Sequence, residues 1–454
     1  MALAFAVLGQ ALVPAHAAPR EYSGRTPTGA WYHIAVPDGW RSGDALVLYQ
    51  HGFDFNAPSG PPSLGPLRDV VLAEGYAIAA SSFRQRGWAL FGALADNREL
   101  VDAFTQLAGE PGEIVPFGGS MGGLIALKLA ETRGFPPVRG VFALCPAAAG
   151  ARLWDTAIDL RLAYDVVCRG AGDLPRGTAP LPWAFNLDQI PDDLGDLSDQ
   201  ALVARALLPL NQCTGVNLPR SLRNGAMQRR LDQLMAFAGI TDEKFFVTNV
   251  GYSTFVLSDL VRAPDKLGGR NPFTTAGVDY ASDAAIESGI ARLIADPLAA
   301  AWLHESSDFR GAVGDAKVIS LHTSHDQLVI PGNQDFVRAA LPPGQVTIGI
   351  VAEDVPSHCG FSAAEGIAGW EALRAWKDGA PQPDVADLQA RCQALAAGGA
   401  AAGPCRFDPQ AVVTPFDAVV RPRPPSPPLV APAHSTRPRP PLAAPRQQVR
   451  EVVR

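Results

Sequence analysis

Residues Glu113–Glu131, EIVPFGGSMGGLIALKLAE, decide how this chain folds. A short apolar segment leads into a serine flanked by glycines, and a long apolar segment of helical character follows. The pattern predicts a strand, a sharp turn with Ser120 at its apex, and a helix that begins near Met121. We expect Gly118 and Gly122 to be required because side chains at these positions would collide with the serine. Such a turn would raise the Ser120 hydroxyl above a sheet, beside the free N–H groups of the helix N-terminus.

The pentapeptide GGSMG is a modest signal by itself, because the chain contains 44 glycines. The alternative is a glycine-rich connection between strand and helix with a bystander serine. Pro116 lies inside the predicted strand and has no N–H for a central ladder. We therefore expect Pro116 to lie just past the last hydrogen bond of the ladder.

Composition places the chain among globular proteins with a full core. It has 454 residues, of which 47% are hydrophobic and 18% charged, and its formal net charge is −7. This length suits one large domain with an insertion, or two domains. The last 34 residues carry seven Arg and one Glu, a local charge of +6, so the remainder carries −13. An acidic body argues against nucleic acid as a partner.

The first 17 residues, MALAFAVLGQALVPAHA, form an apolar run that closes on small residues around Ala15 and Ala17. This pattern predicts an export signal cut after Ala17, and hence a secreted or periplasmic protein. A buried N-terminal helix is the alternative. The run is too short for a membrane span, so no stable membrane insertion is expected.

Six cysteines follow this segment, and they suit an oxidising compartment with up to three disulfides. Fifteen connectivities are possible, and free buried thiols are the alternative. Loop lengths and position favour three pairs: Cys392 with Cys405, Cys168 with Cys213, and Cys145 with Cys359.

Strand-like and helical patterns alternate along two parts of the chain. This alternation predicts the α/β class, with a doubly wound, mostly parallel sheet. The predicted strands are residues 31–36, 45–50, 76–81, 138–144, 317–321 and 346–351; the predicted helices include 67–74, 96–107, 334–340 and one with Ile367, Trp370 and Leu373 on one face. Between the two parts the alternation stops, and a helical cap insertion is expected. The predicted divisions are a signal peptide (1–17), the sheet domain (18–146 and 316–380), the cap (147–315), a C-terminal extension with a possible disulfide (381–420) and a disordered Pro/Arg-rich tail (421–454).

Chemically matched side chains follow three of the predicted strands. Ser120 follows the first, Asp326 lies after the strand 317–321, and His358 lies after the strand 346–351. A serine needs a base to take its proton, and the base needs a third group to hold its tautomer. The alternatives for the acid are Asp315, Asp335 and Asp354, and those for the base are His322 and His325. These two histidines beside Asp326 could instead bind a metal, but no fourth ligand lies nearby in the sequence.

In order and spacing, these residues resemble the α/β-hydrolase superfamily, over residues 30–146 and 316–377. The resemblance implies that Ser120 is the nucleophile, His358 the general base and then acid, and Asp326 the carboxylate that orients His358. It also implies that the segment after the early strand, His51-Gly52-Phe53, is an oxyanion loop. The backbone N–H groups of Met121 and Phe53 would then hold the oxyanion. No cofactor and no metal are implied.

A serine nucleophile, where related folds that open epoxides use Asp, favours acyl transfer. We therefore expect an exported, capped carboxylic-ester hydrolase that acts on a small-molecule or polymeric ester. One alternative is a peptidase of the same fold whose cap carboxylates hold a substrate amine, with Asp155, Asp159, Asp242 and Glu243 as candidates. A catalytically silent binding protein is the alternative from another class. A few aromatic residues of the cap are expected to line the pocket, from among Trp154, Trp183, Phe185, Phe245, Phe246 and Phe255.

Overall fold

The computed structural model describes residues 18–169 and 208–422. The predicted signal peptide, residues 170–207 of the predicted cap (with Trp183 and Phe185) and the tail from residue 423 lie outside the described residues. One eight-stranded sheet has the order β1-β2-β4-β3-β5-β6-β7-β8. Its strands are β1 Arg20–Arg25, β2 Trp31–Val36, β3 Ala45–Gln50, β4 Ala77–Ser81, β5 Glu113–Gly119, β6 Gly140–Leu144, β7 Lys317–Thr323 and β8 Val346–Val351.

Of these eight strands, seven run in the same direction, and β2 runs opposite to them. β2 pairs antiparallel with both β1 and β4, whereas every pair from β4 to β8 is parallel. The sequence analysis missed β1, because REYSGR is polar and mostly exposed at the edge of the sheet. The α/β class and the mostly parallel sheet are confirmed.

Helices cover both faces of this sheet. The helices that begin and end among the described residues are α1 Arg68–Ala73, α2 Ala93–Ala108, α3 Met121–Glu131, α4 Leu153–Tyr164, α5 Gly225–Ala238, α6 Glu243–Gly251, α7 Leu257–Arg262, α8 Ala284–Gly289, α9 Pro297–Ser307, α10 Gln334–Ala340, α11 Ala363–Lys377, α12 Val385–Ala397 and α13 Phe416–Val419. Side chains of β3 alternate between two apolar clusters, with Leu46 and Leu48 in one and Val47 in the other. The first cluster includes α2 and α3, and the second includes α1 and α11. The sheet is therefore doubly wound, as predicted.

Pro116 lies inside β5, and the structure shows why the strand tolerates it. Ile114 donates its N–H to the Pro137 carbonyl oxygen (2.9 Å), on the side of β6. Pro116, two residues later, faces the same side. Regular pairing of β5 with β6 begins only at Phe117, opposite Phe142. The proline therefore occupies a gap before that ladder starts, rather than the position past its end that we expected.

The chain between β6 and β7 forms a helical insertion, which contains α4 to α9 among its described residues. Lys128 ties it to α3, because its buried ammonium donates to the carbonyl oxygen of Asp308 (2.8 Å), just after α9. Burial lowers the pKa of Lys128 below its ordinary value. Trp88 makes a second link through its indole N–H to the Ser307 hydroxyl (2.9 Å). The helix that follows Ser120 is thus in direct contact with the insertion.

The C-terminal extension packs on the sheet domain and then returns to the insertion. Arg406 pairs with the buried carboxylate of Glu365 in α11 (2.9 Å), and Phe407 bridges to Val351 of β8. Farther on, Arg421 donates from Nη2 to Oδ1 of Asp159 in α4 (3.0 Å). The prediction that the disordered tail begins at Arg421 is therefore wrong for this residue, since a mostly buried ion pair holds it.

Three disulfides join the pairs that the sequence analysis favoured. Their Cα–Cα distances are 5.5 Å for Cys145–Cys359, 5.6 Å for Cys168–Cys213 and 5.7 Å for Cys392–Cys405. Among the described residues, no helix has the length and apolar character needed to cross a membrane.

Candidate active site

Ser120 lies between the end of β5 and the start of α3, in a conformation that few non-glycine residues adopt. Its φ is 57° and its ψ is −126°. A Cβ atom on Gly122 would come within 2.0 Å of the Gln50 carbonyl oxygen, and one on Gly118 within 2.5 Å of the Gly122 carbonyl oxygen. The glycines are thus required as predicted, but for another reason. The obstacle is the backbone of the turn itself and of the end of β3, not the serine side chain.

Ser120, His358 and Asp326 form one continuous chain of hydrogen bonds. His358 Nε2 lies 2.9 Å from Ser120 Oγ, and His358 Nδ1 lies 2.6 Å from Asp326 Oδ2. With its proton on Nδ1, His358 donates to Asp326 and presents the unprotonated Nε2 to the serine hydroxyl. This is the arrangement in which a histidine can accept a serine proton.

Asp326 is held from behind by the backbone of its own loop. Its Oδ1 accepts hydrogen bonds from the N–H groups of Leu328 (2.9 Å) and Val329 (3.0 Å). The residue is 2% exposed, whereas the His358 side chain is 24% exposed. The carboxylate is therefore fixed in orientation, and the imidazole stays partly exposed.

The rival residues occupy other positions. Asp315 and Asp354 are exposed, and Asp335 accepts from the Phe416 N–H (2.7 Å). His325 is exposed and turns its Nδ1 toward the Glu353 carbonyl oxygen (2.5 Å).

His322 is fully buried behind the acid. Its Nε2 lies 2.7 Å from the Val329 carbonyl oxygen, and Gln334 lies 3.1 Å from its Nδ1. Burial lowers the pKa of His322, although the neighbouring Asp326 opposes this shift. A neutral ring with its proton on Nε2 satisfies both contacts, so His322 supports the Asp326 loop.

The predicted oxyanion hole consists of the backbone N–H groups of Phe53 and Met121. Phe53 and Met121 both line the cavity that contains Ser120. Among the residues that the structure describes, neither of their N–H groups donates to a protein acceptor. The loop after β3 is fixed because the Gly87 N–H donates to the Asp54 carbonyl oxygen (2.7 Å).

The Cys145–Cys359 disulfide lies directly beside these groups. Cys145 follows β6, and Cys359 follows His358 in the chain. Both cysteines have positive φ values, 39° and 55°, so with Ser120 they account for three of the four such non-glycine residues in the described chain. Backbone strain of this kind persists where the surrounding structure holds it, and it is common at functional sites. Bonded to each other, the two sulfurs are not thiolate ligands for a metal.

A largely apolar cavity opens onto the serine hydroxyl. Its walls come from the sheet domain, the insertion and the C-terminal extension. The lining includes Phe53, Trp88, Ser120, Met121, Leu153, Trp154, Ile240, Tyr252, Leu328, Val329, Ile330, Phe416, Val419 and Val420. Of the cap aromatics considered from the sequence, Trp154 lines this cavity, whereas Phe246 and Phe255 are buried in the core.

Sequence analysis missed the contribution of Phe416, Val419 and Val420. They lie more than 50 residues beyond His358, in a segment without any catalytic pattern. Only the apolar spacing of these residues, with Val420 four positions after Phe416, hints at a buried face.

The four cap carboxylates suggested as amine ligands have other partners. Asp159 accepts from Arg421 and from the Tyr280 hydroxyl (2.6 Å). Asp242 caps the N-terminus of α6. The remaining two form ion pairs, Asp155 with Arg152 (3.3 Å) and Glu243 with Arg223 (2.5 Å).

The sheet with its serine turn at the end of β5, followed by an acid after β7 and a histidine after β8, defines the α/β-hydrolase fold. No family model and no curated protein matches the sequence. Solved structures similar to the chain include one described under novel epoxide hydrolases of the α/β-hydrolase superfamily from hot-environment metagenomes. It has 16% identity and a TM-score of 0.34, over 79% of this chain and 96% of the other. An esterase from Pyrococcus furiosus has 12% identity and a TM-score of 0.33, over 79% and 87% of the two chains. The rice cell wall degrading esterase LipA from Xanthomonas oryzae has 11% identity and a TM-score of 0.34, over 74% and 82%. The fold assignment rests on the strand order and the serine turn themselves.

Proposed function

We propose that this protein is an exported serine hydrolase that cleaves carboxylic esters through an acyl-enzyme intermediate. The observation that carries the proposal is the hydrogen-bonded chain from Ser120 Oγ through His358 to Asp326, with distances of 2.9 and 2.6 Å. The glycines on both sides of Ser120 allow the strained turn that presents its hydroxyl.

In the proposed reaction, Ser120 Oγ attacks the ester carbonyl carbon while His358 Nε2 takes the hydroxyl proton. Asp326 stabilises the imidazolium that forms. The carbonyl oxygen becomes an oxyanion and accepts hydrogen bonds from the Met121 and Phe53 N–H groups. His358 then protonates the leaving alcohol, and an acyl ester on Ser120 remains. Water, activated by the same histidine, hydrolyses this ester and restores the serine.

The composition of the cavity supports an ester rather than a peptide as the substrate. Its lining is largely apolar, and no Asp, Glu, Lys or Arg is among the described residues that line it. The cap carboxylates that could hold an amine are paired with cations or with backbone and phenol donors. An uncharged acyl or alcohol group is therefore the better match.

The predicted signal sequence and the three disulfides support a secreted or periplasmic location.

Burst kinetics with p-nitrophenyl butyrate test the proposal. Wild-type protein should release one equivalent of p-nitrophenol per Ser120 in a rapid phase, and Ser120→Ala should abolish this phase. Asp326→Asn should keep the fold but lower kcat by about 10⁴-fold, because the histidine loses the partner that fixes its tautomer. Asp354→Asn, at an exposed carboxylate of the neighbouring loop, is the matched control and should turn over like wild type.

Ester turnover that survives in Ser120→Ala would refute the serine mechanism. Hydrolysis of aminoacyl arylamides at rates that rival those of short esters would replace the esterase proposal with a peptidase. A wild-type protein that binds esters without turnover would instead indicate a silent binding protein.

A further inference from the structure

A second cavity lies next to the one that contains Ser120, and the two share a wall. Residues that line only the second cavity include Asp159, Tyr280 and Arg421. Four residues line both cavities: Thr156 of α4, Ala238 at the end of α5, and Val419 and Val420 of the C-terminal extension. Among the residues that the structure describes, the two linings have only these four side chains in common, and we term them the partition.

The C-terminal half of the partition is anchored at both of its ends. On one side, the Phe416 N–H donates to Asp335 (2.7 Å), and the Phe416 ring packs against Phe336 at a centroid distance of 5.0 Å. On the other side, Arg421 pairs with Asp159, which also accepts from the Tyr280 hydroxyl. Val419 and Val420 lie between these anchors and are thereby held at a defined position.

The C-terminal extension passes close to the backbone before α10 at Gly332. A Cβ atom on Gly332 would come within 3.1 Å of both Phe416 Cα and the Thr414 carbonyl oxygen. The segment thus lies directly against the backbone that precedes α10. Arg152 adds a further contact through Asp417 (2.9 Å).

The partition consists of small side chains and separates two chemically different spaces. On the Ser120 side the lining is largely apolar, whereas on the far side it includes the Asp159–Arg421 ion pair and the Tyr280 hydroxyl. Burial in the cavity that contains Ser120 stabilises an apolar chain. Entry into the second cavity would be unfavourable, because the chain would have to desolvate polar groups there. The wall between them is therefore a physical limit on chain length.

We propose that Val419 and Val420 set the length of the acyl chain that the enzyme accepts, because the chain ends against the partition. This inference rests on the proposed esterase function and names the substrate class of the same site: esters whose acyl chain fits the apolar cavity. The C-terminal extension is then a specificity element of the pocket, although it lies beyond the catalytic residues in sequence.

Chain-length profiles with p-nitrophenyl acetate, butyrate, octanoate and dodecanoate test this inference on the full chain. Val420→Ala should remove part of the partition. The ratio of kcat/KM for dodecanoate to kcat/KM for butyrate should therefore rise by about tenfold. Val420 is 6% exposed, so its truncation could also destabilise the protein. Val419→Ala, at a residue that is 50% exposed, should shift the ratio in the same direction without unfolding.

Val412→Ala is the matched control, because Val412 precedes the anchored segment and is 91% exposed. Its profile should equal that of wild type. An unchanged ratio in both Val419→Ala and Val420→Ala, with the acetate burst intact, would overturn the inference while leaving the esterase proposal standing. If the wild-type protein shows no burst with p-nitrophenyl acetate, the esterase proposal itself is overturned. If the variants alter selectivity only for acetate esters of longer alcohols, the cavity holds the alcohol, and the acyl assignment is wrong.

Discussion

At the scale of single residues, the site depends on how each polar group is held. Asp326 receives two backbone N–H groups on one oxygen and His358 on the other. Its rivals Asp315 and Asp354 are exposed, and among the described residues neither receives comparable support. Sequence order favoured Asp326, but the hydrogen bonds that fix its orientation follow from the folded loop.

His322 gives the molecule a predictable response to pH. Burial lowers its pKa. Its charged or titratable neighbours are Asp326, which lies 3.7 Å away, and His358. Between its folded pKa and the ordinary value of about 6.5, the unfolded chain binds more protons than the folded one. The free energy of unfolding must therefore rise with pH in this window, and stability is lost as the pH falls below about 6.5.

We expect His322→Gln to weaken this dependence. The free energy of unfolding of wild type, measured by urea denaturation from pH 8 to pH 5, should fall more steeply than that of the variant. The difference in slope can reach about 1.4 kcal/mol per pH unit, which corresponds to one proton. The variant should also be less stable at pH 7, because it disturbs the contacts to Val329 and Gln334. Parallel slopes in the two proteins would contradict the assignment of a neutral His322.

At the scale of structural elements, the serine turn is the point where β3, β5 and α3 meet. Its glycines are required because these backbones lie so close together that a Cβ atom would not fit between them. Pro116 shows the same dependence on the neighbour strands, since it is tolerated where the β5–β6 ladder has not yet begun. Neither condition is visible in the local sequence.

Gly122→Ala should destabilise the protein and displace Ser120. The new methyl group would meet the carbonyl oxygens of Gln50 and His51 at 2.0 and 2.6 Å, which are backbone atoms that cannot rotate away. We expect a loss of at least about 1–3 kcal/mol in urea denaturation, together with a smaller burst amplitude.

Gly366→Ala is the matched control for this substitution. Gly366 lies in the interior of α11, and a Cβ atom there meets no atom within 4 Å. Alanine should stabilise this helix by up to about 1 kcal/mol and leave the burst unchanged. Equal effects of the two substitutions would mean that the close contact at Gly122 does not constrain the turn.

At the scale of the whole molecule, disulfides and the C-terminal extension connect parts that are distant in sequence. Cys145–Cys359 spans 214 residues and joins the loops after β6 and β8, whereas Cys392–Cys405 spans 13. In the chain-entropy model, the longer loop gives the greater stabilisation. The first bridge also lies next to His358.

Replacing Cys145 and Cys359 together by serine should lower the free energy of unfolding by about 2–5 kcal/mol and reduce kcat, because the His358 loop loses its covalent link. The paired control replaces Cys392 and Cys405 in the same way. It should cost stability without changing kcat, since that bridge lies in the extension. Thermal or urea unfolding combined with burst kinetics separates the two effects, and equal kcat values in both double variants would contradict a role for Cys145–Cys359 at the site.

The sequence by itself determined the class of fold and most strand positions, and it favoured the three disulfide pairs without deciding among the fifteen connectivities. β2 and β3 have the predicted bounds, because mostly apolar runs between turn residues indicate burial. β1 was missed, because an edge strand with polar side chains has no such signal.

Only the tertiary structure decided which atoms meet. The meeting of His358 with Ser120, the obstacle at Gly122 and the return of Phe416, Val419 and Val420 to the pocket all join residues far apart in the chain. Periodicity and composition describe how a segment is buried, and they carry no information on its distant neighbours. Those neighbours are selected by close packing of the whole chain, which is why the walls of the pocket, unlike its candidate nucleophile, could not be predicted.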